Sequence, residues 1–74
     1  MSITNRLKEL VGEQLCIDPK NIKSGFNIAG LASEPDMMDL MFAIDKEWDI
    51  ETTAEDSEFT TFKDLKTKVK AHLQ

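Results

Sequence analysis

The chain has little of what most catalytic and metal sites require. It contains one cysteine, Cys16, and one histidine, His72, among 74 residues. A disulfide framework or a metal site built from several thiolates or imidazoles therefore cannot form within it. A nucleophilic triad would depend on His72 alone, and no pattern brings together a nucleophile, a base and an oxyanion donor. The residue inventory argues against a small hydrolase or a metal protein, and we predict no catalytic residue and no metal ligand.

Long apolar runs and an excess of basic residues are also missing. No stretch of about 18 apolar residues occurs, and no charged segment followed by an apolar one opens the sequence. We therefore expect no membrane insertion and a cytoplasmic location. Nine basic and 14 acidic residues give a net charge of −5, which disfavours nucleic acid and anionic lipid. The length allows one small domain, 1–74, which we expect to be monomeric.

The negative charge is concentrated in the centre of the chain. Residues 34 to 58 hold ten acidic residues and one lysine, a net −9, while the flanks hold eight basic and four acidic residues, a net +4. Two interpretations stay open. The carboxylates are either the solvated face of a helix, or a docking surface for basic partners, to which complementary charge gives specificity and a faster encounter.

Apolar periodicity predicts an all-α fold. A stripe at helical spacing over 3–16 indicates the first helix, which the polar break at Pro19 ends. A long connection follows, and its spaced apolar residues indicate that it is held against a core. These residues are Ile22, Phe26, Ile28 and Leu31.

Two capping-box patterns predict where the other main helices begin. Ser33-Glu34-Pro35-Asp36 starts a second helix that runs to about Trp48, and Thr61-Phe62-Lys63-Asp64 starts a last helix over 62–73. Residues 54–58 suggest a short helical turn. The expected architecture is a small four-helix bundle of three main helices and one short one, with a long loop between the first two. The predicted apolar stripe of the second helix consists of Met37, Met41, Ile44 and Trp48, and Met38 and Phe42 widen it.

Three segments of the chain carry a family resemblance. They are 3–15 (ITNRLKELVGEQL), 39–50 (DLMFAIDKEWDI) and 60–65 (TTFKDL). In order and spacing they resemble the first, second and last helices of bacterial acyl carrier proteins, over nearly the whole chain. The resemblance implies a four-helix bundle that catalyses nothing. It implies a 4′-phosphopantetheine arm on a serine at the start of the second helix, which holds acyl groups as thioesters for fatty-acid or polyketide-type enzymes.

The resemblance also implies partners and candidate site residues. The partners would be the phosphopantetheinyl transferase that installs the arm and acyl-processing enzymes with basic docking patches. The docking face would comprise Glu34, Asp36, Asp39 and Glu47. The acyl chain or the core would be lined by Met37, Met38, Met41, Phe42 and Ile44. Methionine side chains are flexible enough to admit an apolar chain between helices.

One motif departs from the family. The modified serine normally lies in an Asp-Ser-Leu motif, whereas this chain has Leu31-Ala32-Ser33-Glu34-Pro35-Asp36. A gapless alignment places Glu34 at the serine position, and only a shift of one residue makes Ser33 the attachment site. Ser33 is therefore either a helix N-cap or the phosphopantetheine attachment residue. The alternative function is a carrier-like interaction module that has lost its attachment serine and is never modified.

Two further residues receive ordinary structural interpretations. Cys16, at the end of the first helix, is expected to be a small core residue, because free cysteine is commonly buried. His72 is expected to be a plain residue in the last turn of the last helix.

Overall fold

The computed structural model describes residues 2–73 and is all-helical. Its elements are α1 (Ile3–Leu15), α2 (Glu34–Trp48) and α3 (Phe62–His72), with single 3₁₀ turns at Pro19–Asn21 and Glu55–Ser57. Residues 2–73 contain no strand, only one isolated antiparallel bridge between Asn27 and Thr61. The prediction of an all-α fold is confirmed. The short turn expected within 54–58 is one turn of 3₁₀ helix, so the described chain has three α-helices.

Side-chain caps set the start of each helix. The two predicted capping boxes are confirmed: Ser33 and Asp36 bond to each other's backbone N–H groups at the start of α2, and Thr61 and Asp64 do so at α3. Ser2 caps α1 by accepting the N–H of Asn5 at 3.1 Å. These bonds satisfy N–H groups that have no partner within the helix.

The three helices and the long connection all contribute side chains to one hydrophobic core. The connection is pinned as predicted at Ile22 and Ile28, and its backbone bonds to the start of α3 through Ile28 N–H to Thr60 O at 2.9 Å. Leu31 was expected in this set, but it is 60% exposed. The core residues are Leu7, Leu10, Val11, Ile22, Ile28, Leu40, Met41, Ile44, Phe59, Phe62, Leu65 and Val69.

The predicted apolar stripe of α2 was too wide. Met38 is 73% exposed and Phe42 is 61% exposed, whereas Ile44 is fully buried. At about 100° per residue, Phe42 lies about 160° around the helix from Ile44, and Met38 lies above Phe42 on the same outer side. The core side of α2 is therefore built on Leu40, Met41 and Ile44, with Met37 and Trp48 packed beside them and partly buried.

Cys16 is not a core residue, and the sequence-based expectation was wrong. It is exposed and takes the left-handed conformation, with φ 58°, as the residue that ends α1. Its N–H bonds to the carbonyl of Gly12, which closes the last turn. The left-handed termination points the chain away from α1, so the side chain leaves the apolar stripe.

Candidate binding groove beside α2

Ser33 lies exposed at the first turn of α2. Its Oγ accepts the N–H of Asp36 at 3.3 Å, and Asp36 Oδ2 accepts the N–H of Ser33 at 3.3 Å. Ser33 is therefore the N-cap, one of the two roles its sequence position allowed. The capping bond uses an acceptor lone pair of the hydroxyl and not its proton. The hydroxyl of Ser33 thus combines an N-cap role with access from solvent.

An open groove of about 540 Å³ begins at Glu34, the residue after Ser33, and follows α2. One wall is α2 and the other is the connection that leads to α3. Of the five residues expected to line the acyl chain or the core, four line this groove, and the fifth, Ile44, lies in the core. The lining residues from α2 are Glu34, Met37, Met38, Met41, Phe42 and Asp45, and those from the connection are Thr52, Thr53, Ala54 and Ser57.

Hydrogen bonds hold the connection in place as the second wall. Asp45 Oδ1 accepts the N–H of Thr52 at 3.0 Å, which joins this wall to α2. Asp56 Oδ2 accepts the N–H of Thr53 at 2.9 Å and lies 2.8 Å from His72 Nε2 of α3. The Thr53 N–H, and after it His72, lower the pKa of the Asp56 carboxyl. Hydrogen bonds to charged side chains thus join this wall to both α2 and α3, and they fix its position in addition to the bonds within its own 3₁₀ turn.

The interpretation of His72 as a plain last-turn residue was incomplete. Its imidazole contacts Asp56, sixteen residues earlier in the chain. One helical turn before it, Lys68 Nζ donates to the carbonyl of Glu55 at 3.3 Å. Two side chains of α3 therefore clamp the Glu55–Ser57 turn.

The ionisable side chains that line the groove are both carboxylates. Glu34 lies at the start of α2 and Asp45 lies eleven residues later, about 16 Å along the helix axis. The lining contains no lysine or arginine. Lys46 places its Nζ 5.1 Å from the centroid of the Phe42 ring. The groove thus combines an apolar middle with a negative charge towards each end.

The four carboxylates predicted to form a docking face do not share one side of α2. Asp36 and Glu47 lie on one side, whereas Glu34 is about 160° around the helix from Asp36, on the groove side. Glu47 Oε1 bonds to Arg6 Nη2 of α1 at 2.8 Å, which lowers the pKa of Glu47 and raises that of Arg6. Asp36 belongs to the capping box. The exposed side chains of Met38 and Phe42 form a ridge along α2. Asp39 is exposed and lies on the side of this Met38–Phe42 ridge that faces away from the groove.

Sequence reasoning missed Asp45 and the whole second wall. The sequence pattern assigned Asp45 no role, and it predicted only a short helical turn within 54–58. Their place beside α2 depends on bonds between residues seven or more positions apart, such as that from Thr52 to Asp45. No periodic pattern encodes such a contact. A carboxylate near the end of a helix followed by two threonines is the only local signal, and it is a weak one.

The resemblance to acyl carrier proteins rests on the residues of this chain alone. No protein-family model and no curated protein matches this chain. In the described part of the chain, no helix is long and apolar enough to cross a membrane. Residues 2–73 also contain no group of three or more histidine, cysteine or acidic side chains placed to hold a metal ion.

Proposed function

We propose that this chain is an acyl carrier protein. It holds acyl groups as thioesters on a 4′-phosphopantetheine arm attached to Ser33, presents them to fatty-acid or polyketide-type enzymes, and catalyses nothing itself. In this proposal the Glu55–Ser57 turn is the short helix of a carrier-type four-helix bundle. The observation that carries the proposal is an exposed serine at the start of α2, next in sequence to Glu34, which lines one end of a groove with an apolar middle.

The residues around Ser33 are compatible with such an arm. The hydroxyl is exposed, and a helix N-terminus favours the phosphate of the attached group. When bound, the arm supplies the terminal thiol that forms the thioester. The groove offers an acyl chain apolar contacts with Met37 and Met41 and with the outer residues Met38 and Phe42. Glu34 and Asp36 oppose the phosphate by charge repulsion, which favours a transferase that neutralises them with basic residues.

The test is intact-protein mass spectrometry after incubation with coenzyme A and a phosphopantetheinyl transferase. We expect the wild type to gain the mass of one arm. Ser33→Asn should show no gain, because asparagine preserves the N-cap acceptor but has no hydroxyl to modify. Thr61→Asn is the matched control, since it makes the same kind of change at the capping box of α3 and keeps Ser33. A gain that persists in Ser33→Asn, or no gain in the wild type with several transferases, would overturn the proposal.

A second candidate is an interaction module that is never modified. It is favoured by the capping role of Ser33 and by the two exposed apolar side chains, Met38 and Phe42, that stand between carboxylates. The same Ser33→Asn variant separates the two functions. A module without an arm binds its basic partner enzymes as well with asparagine as with serine at this position, whereas a carrier loses its cargo.

A further inference from the structure

The charge of the groove restricts what can lie in it. The two ionisable groups of its lining, Glu34 and Asp45, are both acidic. The wall opposite α2 adds the polar side chains of Thr52, Thr53 and Ser57 and no basic residue. A fatty chain that ends in a carboxylate would place its negative charge near groups of the same sign, and such contacts are unfavourable. A chain that bears a cation meets charges of the opposite sign.

The middle of the groove suits methylene groups. Met37 and Met41 form its base on α2, and Met38 and Phe42 form its outer rim, where both are largely exposed. Unbranched thioethers adapt to a chain of variable shape, and covering the exposed rim removes apolar surface from water. A ligand of this groove therefore needs an aliphatic body as well as a positive charge.

Asp45 is suited to receive the charged group. Its Oδ1 accepts the N–H of Thr52 at 3.0 Å, which fixes the orientation of the carboxylate. Its Oδ2 makes no hydrogen bond with the described residues and keeps its acceptor capacity. Asp45 lies about three helical turns from Glu34, the lining residue next to Ser33, and so stands at the far end of the groove from the proposed attachment residue.

We infer that the groove selects an aliphatic chain that carries a protonated amine, with Asp45 as its counter-charge. The identification of this ligand as the carrier's cargo, an amino-substituted acyl group, rests on the proposed function. The binding preference itself belongs to the folded chain and does not require the arm.

The experiment titrates the unmodified protein with three probes of equal chain length: n-octylammonium, 1-octanol and octanoate, each below its micelle concentration. Binding is followed by the backbone ¹H–¹⁵N shifts of each residue. We expect octylammonium to bind more tightly than octanol, and octanol more tightly than octanoate. The largest shifts should fall in residues 34–45 and 52–57.

Two charge-removing variants compare Asp45, the counter-charge, with Glu34 at the other end of the groove. Asp45→Asn retains an acceptor for the Thr52 N–H, and Glu34→Gln leaves the capping box unchanged. Asp45→Asn should weaken octylammonium binding by about two- to fivefold. Glu34→Gln, about 16 Å away along α2, should weaken it less, because solvent and salt screen the charge at that distance. Neither variant should change octanol binding. Asp39→Asn is the matched control on the far side of the Met38–Phe42 ridge, and it should change the binding of neither probe.

The outcomes separate this inference from the proposed function. Octanoate binding as tightly as octylammonium, no binding by any probe, shifts outside the groove, or equal effects of Asp39→Asn and Asp45→Asn would each overturn it. Such a result with a normal mass gain on Ser33 leaves the carrier function standing with another cargo. The predicted ranking without a mass gain supports the amine site and refutes the carrier.

Discussion

Gly12 shows how one missing side chain lets α1 end where it does. A Cβ at this position would lie 2.5 Å from the carbonyl oxygen of Ile17 and 3.2 Å from Cγ of Pro19. Helix propensity alone would make Gly12→Ala stabilising by about 1 kcal/mol. We expect the opposite sign, a loss of about 1–3 kcal/mol in the free energy of unfolding, because backbone has to move away. Urea denaturation followed by circular dichroism measures it.

Gly25 provides the matched control in the long connection. A Cβ there meets nothing within 4 Å, and no described glycine has a positive φ. Gly25→Ala should therefore leave stability unchanged or raise it by up to about 1 kcal/mol, since alanine restricts the unfolded chain. If both substitutions changed stability in the same direction and by the same amount, the close approach at Gly12 would not be the cause.

Cys16 marks a limit of reading single residues from a sequence. Its residue type favours burial, yet its position at the end of α1 requires a left-handed backbone, and position decided the outcome. Ser33 and Asp36 show the reverse case. A capping box needs only two side chains three residues apart, so the sequence contains all the information that forms it.

At the level of elements, the contact between α3 and the Glu55–Ser57 turn makes a prediction about pH. The pKa of Asp56 is lower in the folded protein than its ordinary value, so its ionised form favours folding. That contribution is fully present above the unfolded-state pKa of about 3.9 and is lost as the pH falls through the folded value. The stability advantage of the wild type over Asp56→Asn should therefore shrink steadily below about pH 5.

Urea denaturation of both proteins from pH 7 to pH 2 measures this difference. Glu55→Gln is the matched control, because it removes a carboxylate from the same turn without removing the bonds to Thr53 and His72. A wild-type advantage over Asp56→Asn that stayed constant through the acid range would contradict the role assigned to the carboxylate.

Helices and groove differ in how far the sequence predicts them. The bounds of α2 and α3 follow from local capping patterns and apolar spacing, so they could be predicted closely. One wall of the groove is α2, and both the bounds of this helix and its methionines were predicted from such local patterns. The other wall is held by contacts of Asp56 with His72 and of Asp45 with Thr52, which join separate elements. Only the folded chain brings those pairs together.

Across the whole molecule, Ile44 and Phe42 show which part of α2 the core covers. Both were predicted on one apolar surface, but only Ile44 belongs to the core that α2 shares with α1, α3 and the long connection, and Phe42 remains exposed. A domain of this size has a small stability margin. Truncating the Ile44 side chain should therefore lower the free energy of unfolding of the whole domain, whereas truncating Phe42 should have little effect on it.

The comparison uses Ile44→Val and Phe42→Ala in urea denaturation with tryptophan fluorescence. Ile44 is fully buried, so loss of one methylene should lower the free energy of unfolding by about 0.5–1.5 kcal/mol. Phe42 is 61% exposed, so removal of its much larger ring should change stability by less than about 1 kcal/mol, including its contact with Lys46. A larger loss from Phe42→Ala than from Ile44→Val would mean that the ridge belongs to the core. The predicted order would leave Phe42 as a side chain whose apolar surface is available to a ligand of the groove rather than to the fold.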